Sequence, residues 1–600
     1  MSASATSTLS MGANLRNGEA EFRVWAPRAR EVILRLFENT PGPANIGPDR
    51  GTRSDSRDFS MRREGDYFTA ALPARAGYRY FYIVGGGKPL PDPVSRLLPE
   101  GVHGPTEIVD PDSFRWSDEG WRGLEIRDYI LYELHVGTFT PEGTFDGVIG
   151  KLAYLKSLGI TAIELMPVAA FPGTRNWGYD GVSPYAVQAS YGGPEGLKRL
   201  VNAAHGAGLA VVLDVVYNHL GNEGNYLGQF GSYFTDRHQT PWGGAVNYDG
   251  PDAAPVRRYV VENALYWVRE YHVDGLRLDA IQTIYDDSPK HIVEEIAESA
   301  HALGSELGRQ VCVIAETDEN DARYFRAPEQ GGMGVDAVWS DDFHHALHTM
   351  LTGESKGYYQ DFGQPEQLLR ALNEGFAFQG EPFKFWDGRP RGTPAADVPL
   401  YRHVIATQNH DQVGNRAKGE RLTSLVPRGA RKMAAALLLL SPHTPLLFMG
   451  QEYDEEAPFQ FFTDYGDAIL QKAVSEGRRK EFAEFAWEEV PDPQDAATFE
   501  RSRLSLQTSG SGLQGEMLDW YRQLIALRKR LVTAEARTCR AEWCERRLVV
   551  QVPREKPVVM VVAGFPGSGK IVAGEGWKCV MSAEEDGYLT AVYEWDLRSG

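Results

Sequence analysis

Gly275-Leu276-Arg277-Leu278-Asp279-Ala280 decides how this chain is read. In a strand, side chains alternate between faces, so Leu276 and Leu278 share one face while Arg277 and Asp279 share the other. A guanidinium beside a carboxylate favours the ionised acid. An ionised Asp at the end of a buried strand suits a nucleophile, although one such segment alone reads better as a structural ion pair. Three more acidic segments change that reading.

Outward from this stretch, strand and helix patterns alternate from Arg127 onward. Candidate strands cover 130–135, 162–167, 209–217, 275–280, 311–316, 337–341, 404–409 and 445–450, with helical periods such as 195–207, 257–271 and 292–307 between them. Eight strands alternating with helices indicate a (β/α)8 TIM barrel, an α/β fold. The span 113–530 is long for it, so insertions are expected at 171–191, 221–249 and 356–399. Residues 1–18 read as a disordered tail, and 19–112 as an N-terminal β-sandwich of short strands punctuated by Gly and Pro. The helix 517–530 closes the barrel, and 531–600 form a C-terminal β-domain.

Composition bounds the function. The 600 residues, 42% hydrophobic and 24% charged, describe an ordinary globular protein. A formal charge of −20 argues against nucleic acid or an anionic membrane as the main partner and is compatible with a neutral sugar. The 13 Trp and 27 Tyr suit sugar stacking, although most aromatics fill cores. None of the 4 Cys forms a CxxC pair, so neither a zinc knuckle nor a disulfide framework is expected. No secretory h-region is visible at the N-terminus, and the apolar run 433–440 is too short to span a bilayer, so a cytoplasmic location is expected.

The other acidic segments are Leu213-Asp214-Val215-Val216-Tyr217-Asn218-His219, Val311-Cys312-Val313-Ile314-Ala315-Glu316 and Thr407-Gln408-Asn409-His410-Asp411-Gln412. Each puts a carboxylate at or near the C-terminal end of a barrel strand, the face where such barrels carry out chemistry. Glycosidic cleavage needs one carboxylate at the anomeric carbon and a protonated one for the leaving oxygen. Glu316 ends an apolar strand near other acids, so its pKa should rise, which suits the acid. His219 and His410 can hydrogen-bond sugar hydroxyls.

These segments resemble the four signature regions of the α-amylase family of retaining glycoside hydrolases. The resemblance implies that Asp279 is the nucleophile, Glu316 the general acid/base and Asp411 the stabiliser of the transition state. It implies that Arg277 orients the nucleophile, that His219 and His410 hold the sugar beside the scissile bond, that Tyr179 in Asn176-Trp177-Gly178-Tyr179-Asp180 stacks on it, and that Asp214 supports the pocket from behind. One departure stands out: where many amylases carry Lys-His after the nucleophile, this chain has Gln282-Thr283. Longer words, PEGVHGP (99–105), WSDDFHH (339–345), QNHDQVGNR (408–416), MGQEY (449–453), APFQFF (457–462) and VPDPQ (490–494), resemble one branch of the family, the maltooligosyltrehalose trehalohydrolases. That likeness implies hydrolysis of the α-1,4 bond next to a terminal trehalose unit, downstream of a maltooligosyltrehalose synthase, by a monomer or homodimer that needs no cofactor. Branching and debranching enzymes of the same family are the alternative. Substrate contacts are expected from Gln282, Ser340, Asp341, Asp342, Phe343, His344, Asn409 and Gln412, with Phe459, Phe461 and Phe462 either walling the site or forming a buried cluster.

Two other signals carry less weight. Gly564-Phe565-Pro566-Gly567-Ser568-Gly569-Lys570 has phosphate-loop spacing, but Ile571 and a glycine-rich continuation replace the required Ser/Thr and helix, so a turn between strands is expected. His344 and His348 with Asp341 mimic a metal site but lack a third ligand at fixed spacing, and no metal is expected.

Overall fold

In the computed structural model, eight parallel strands close into a barrel: β1 (Leu131–Leu134), β2 (Ala162–Leu165), β3 (Ala210–Val215), β4 (Gly275–Leu278), β5 (Cys312–Ala315), β6 (Ala337–Trp339), β7 (His403–Ala406) and β8 (Thr444–Phe448). β8 pairs back onto β1. The structure describes residues 9–596 apart from 17, 39–55, 484–489, 506–511, 534–535 and 570–573. The strands are buried on both faces, because the barrel interior and the helical ring are both packed. Leu131, Ala162, Val212, Ile314, Trp339 and Val404 cluster on one face, while Ile163, Leu213, Leu276, Val313 and Ile405 join the larger core on the other. That double burial is why the strands read as nearly continuous apolar runs.

The helix Ile292–Leu307 has the span its periodicity predicts, and Gly193–Gly206 and Ala253–Glu270 are displaced only at their ends. The barrel's last helix is longer than the reading, Gly512–Leu531. Every strand ends before the expected residue, β7 at Ala406 rather than 409. The residues beyond the last ladder bond are the ones that turn into the pocket. Each expected insertion carries a small two-stranded ribbon: Ala169–Ala170 with Ser183–Val187, Phe234–Thr240 with Gly243–Val246, and Glu381–Phe383 with Arg389–Arg391.

Before the barrel, a four-stranded sheet (Gly12–Arg16, Glu19–Trp25, Tyr67–Pro73, Arg62–Glu64) faces a second sheet built around Val32–Phe37 and Arg79–Val84. Phe22 of the first meets Tyr80 of the second, ring centroids 5.0 Å apart. The expectation of a disordered tail through 18 is corrected: Gly12–Arg16 is a strand paired with Glu19–Trp25, with Ala13 buried in it and Met11 buried just before it. Its alternation is too short to stand out from the polar residues around it, and the first eight residues lie outside the described ones. After the barrel, a five-stranded antiparallel sheet packs on the helix Arg428–Leu440. The glycine-rich segment after Val559–Gly564 is a turn as expected, with Lys570 outside the described residues. The linker-like patch 507–512 lies outside them too, except Gly512. Among the described residues no helix is long and apolar enough to cross a membrane.

Candidate active site

Arg277 is fully buried inside the barrel, on the carboxyl side of β4. Its Nη1 donates to Asp214 Oδ2 at 2.8 Å and to Asp279 Oδ1 at 2.9 Å. Nη2 lies 3.5 Å from Glu316 Oε2, and the guanidinium sits 4.3 Å over the ring of Trp339. Register fixes the first contact, since Asp214 and Arg277 are ladder partners in β3 and β4. Burial alone would lower the pKa of Arg277, but Asp214, Tyr179, Glu316 and Asp279 outweigh it and raise it.

Asp279 leaves the ladder one residue after β4, and Asn218 Nδ2 donates to its Oδ2 at 3.1 Å. Ala280 then takes a left-handed conformation (φ +38°), which turns its N–H onto Glu316 Oε2. Burial raises the Glu316 pKa to about 8; Asp279, Asp411 and Asp341 add to the rise and Arg277 opposes it. One carboxylate is therefore in direct contact with a guanidinium, and the next keeps its proton near neutrality. Asp214, buried and raised to about 6 by burial, accepts from Tyr179 Oη–H at 2.6 Å.

His410 stands in the first turn of a short helix after β7, whose N-cap is Asn409. Its ring stacks on Tyr179 with centroids 5.2 Å apart, and Nε2 lies 2.8 Å from the Tyr179 hydroxyl and 3.5 Å from Asp411 Oδ1. Asp411 is the open member of the group, its side chain 42% exposed. The structure thus brings Asp279, Glu316, Asp411, Arg277, Tyr179 and His410 around one pocket. His219 is beside it, but Nε2 is within 3.0 Å of the Tyr179 carbonyl and Nδ1 within 2.9 Å of Asn218 Oδ1. Both ring nitrogens are already engaged by the protein.

The expected contacts divide. Gln412 Nε2 donates to Asp341 Oδ1 at 3.0 Å, and the buried Oε1 atoms of Gln412 and Gln282 have no hydrogen-bond partner among the described residues. Ser340, Asp342, Phe343 and His344 do not reach the pocket, which corrects the reading of that stretch as a sugar-facing loop. Asp341–Thr352 is a helix, so Asp342 and Phe343 turn about 100° and 200° away from Asp341, while His344 returns toward its side and is taken up by other protein contacts. Ser340 Oγ–H donates to the Gly375 carbonyl, Asp342 is locked by Arg391, Asn320 and two backbone N–H groups, Phe343 is core, and His344 bridges Thr407 O and Tyr359. Asn409, buried, caps the His410 helix through its side-chain oxygen rather than facing a ligand. Phe459 and Phe462 form the buried cluster, with Trp177 stacked on Phe459 at 5.3 Å.

Three features escape the sequence reading. Trp242, 43% exposed, stacks on His219 with centroids 4.0 Å apart. Glu133 and Glu164 are buried on β1 and β2, and a lone carboxylate within an apolar strand was the only signal for them. His238, Asp249 and Asp287 bring metal-type atoms within 4.8 Å of one another, but Arg237 already bridges the two carboxylates.

The class is that of α-amylase-type glycosidases: the family model for the alpha amylase catalytic domain matches residues 108–242. A crystal structure named for an alpha amylase from Salmonella typhimurium superposes with a TM-score of 0.87 at 39% identity, covering 98% of this chain and 99% of that one. A pullulanase from Anoxybacillus sp. LM18-11 (TM-score 0.70, 19% identity, 98% of this chain and 87% of that one) shares the fold. The malto-oligosyltrehalose trehalohydrolase of Saccharolobus solfataricus is 45% identical over 90% of this chain and 89% of its own, and that of Rhizobium sp. (strain M-11) 45% identical over 85% of each. This chain belongs to the malto-oligosyltrehalose trehalohydrolase family.

Gly178 tests how tightly the pocket is held. Its φ is +108°, and a Cβ there would meet the Pro167 carbonyl oxygen at 2.2 Å. Gly178→Ala should destabilise the fold by at least the ~1–2 kcal/mol of a left-handed alanine. By moving Tyr179 off Asp214 and His410 it should also reduce turnover on the order of 10²-fold. Thermal unfolding and steady-state kinetics measure the two losses.

Proposed function

We propose that this glycosidase hydrolyses the α-1,4-glucosidic bond next to the terminal α,α-trehalose unit of maltooligosyltrehalose, releasing trehalose and a shortened maltooligosaccharide. The observation that carries the reading is the pair of unlike carboxyl groups: Asp279 in contact with Arg277, and Glu316 raised to about 8. Asp279 attacks the anomeric carbon while Glu316 gives its proton to the leaving glycosidic oxygen. The glycosyl-enzyme ester is then hydrolysed by a water whose proton returns to Glu316, so configuration is retained. Asp411, the open carboxylate, holds the sugar at the reacting ring, His410 positions Tyr179 beside it through its ring nitrogen, and Tyr179 and Trp242 offer stacking faces. Asp341, Gln282 and Gln412 are the candidate readers of the trehalose end, since the free amide oxygens of both glutamines await donors.

The substrate must come from an enzyme that converts the reducing end of a maltodextrin into a trehalose linkage, a maltooligosyltrehalose synthase. Four cysteines without a disulfide suit a reducing, cytoplasmic setting. A branching activity is less well supported: a glucan branching enzyme of Corynebacterium jeikeium is 30% identical over only 46% of this chain and 39% of its own.

Incubation with maltotriosyltrehalose should release free trehalose, detected by chromatography; α-1,6 branches from amylose with no trehalose would overturn the reading. Because Glu316 must carry a proton in the free enzyme, kcat/KM should fall as pH rises through about 8. Glu316→Gln should lower kcat by roughly 10²–10⁴-fold on the glucan, and far less on an α-glycosyl fluoride, whose leaving group needs no proton. Asp279→Asn should abolish turnover and leave binding by calorimetry intact.

A further inference from the structure

Beneath the pocket lies a charged group that the reaction above does not use. Glu133, buried on β1, grips His410 at two points: Oε2 accepts the backbone N–H at 2.9 Å, and Oε1 is hydrogen-bonded to ring Nδ1. The far side of the ring fixes the proton count. Tyr179 has one hydroxyl proton and gives it to Asp214 at 2.6 Å, so it must accept from His410 Nε2 at 2.8 Å. Nε2 therefore carries a proton, and Nδ1 facing a carboxylate carries the second. The hydrogen bonds run unbroken from Glu133 through His410, Tyr179, Asp214 and Arg277 to Asp279.

Glu164 is the neighbour that could spoil this. It is the ladder partner of Glu133, is buried, and neither of its oxygens has a hydrogen-bond partner among the described residues. An ionised carboxylate without donors is prohibitively costly in such a place, so it stays protonated. Burial, then Glu133, push its pKa well up. The donors all go to Glu133, so the negative charge sits there and the proton on Glu164.

We propose that Glu133 is a positioning residue of this active site, holding His410 as the doubly protonated donor that anchors Tyr179 and, through Asp214 and Arg277, the nucleophile. The proposal rests on the catalytic reading above, yet its first test is independent of turnover. The other groups around the ring are few. Asp411 adds negative charge, Arg277 opposes protonation from β4, His135 is held neutral by burial (about 4), and Trp177 and Trp339 present ring surfaces. Burial alone would lower His410, but Glu133 and Asp411 outweigh it and raise it to about 9.

The experiment is an NMR titration of ¹³C-imidazole-labelled full-length protein without substrate, alongside the pH profile of kcat/KM on maltotriosyltrehalose. In Glu133→Gln, His410 should lose its second proton roughly tenfold or more too easily, at least one pH unit lower, so that its loss joins that of the Glu316 proton and draws the alkaline limb to lower pH. Glu164→Gln, already neutral at that position, should leave the His410 titration in place. Glu133→Asp keeps the charge but withdraws the grip. It should fold if Glu133→Gln does not, keep His410 charged at neutral pH, and lose kcat with KM little changed. A His410 titration unmoved in Glu133→Gln, a Glu164→Gln variant that shifts it as much, or a Glu133→Asp variant with His410 neutral at pH 7 would each overturn the proposal. Wild-type protein inert on the substrate would sink the catalytic reading and leave the titration result standing.

Discussion

The buried guanidinium of Arg277 is the constraint on which the rest of the site depends. A cation in the interior of a packed barrel is tolerated only when its charge is met by nearby acids. Here Asp214 and Asp279 accept from it directly, Glu316 stands 3.5 Å away, and Trp339 lies under its face. The requirement is mutual, because each acid is buried and would be costly without the guanidinium. The difference between direct contact and near approach separates the two working carboxyls. Asp279 has the hydrogen bond. Glu316 has only the field, which burial and three neighbouring acids overcome. Two groups of the same chemical type thus meet one cation differently, one by hydrogen bond and one against its field.

The barrel delivers this geometry through register. Asp214 and Arg277 are opposite each other in the β3–β4 ladder, and Arg277 and Asp279 are two residues apart on one face. Just beyond the ladder, the left-handed Ala280 aims a backbone N–H at Glu316 and links the ends of β4 and β5. The same device recurs across β1 and β2, where Glu133 and Glu164 are ladder partners. The sheet therefore fixes Asp214 and Arg277 outright, and the residues that leave each strand end, Asp279, Glu316 and the His410–Asp411 turn, complete the pocket.

That is also why so much was legible in advance. Apolar runs of four to six residues ending in Asp, Glu or His announce parallel strands with chemistry at their carboxyl ends, and all eight strands are in the places their sequence implies. The ends were overestimated for a physical reason: the carboxylates share the strands' alternation but lie past the last hydrogen-bonded pair. Ser340–His344 misleads because polar residues in a helix resemble a sugar-facing loop until the helical phase is known; the rotation carries Asp342 and Phe343 away from Asp341, and Ser340 and His344 are taken by protein partners. Trp242 was beyond reach for another reason, since its meeting with His219 depends on how the Phe234–Val246 ribbon folds back over the pocket. No local pattern encodes that.

Proton placement follows one rule through the whole interior: the charge stays where donors converge and the proton where they run out. Glu133, Asp214 and Asp279 each accept at least two hydrogen bonds, counting the Tyr179 and Arg277 donors to Asp214. Glu164 accepts none, and Glu316 a single backbone N–H. Anions and cations consequently alternate from Glu133 to Asp279, with a neutral acid at each end of the series. Such a sequence is self-supporting, since every charge has an opposite neighbour and none needs bulk water. A neutral glucan entering the pocket displaces water without stripping any ion of its partner. The proton on Glu316, held by burial rather than by a donor to be broken, is free to move to the substrate oxygen.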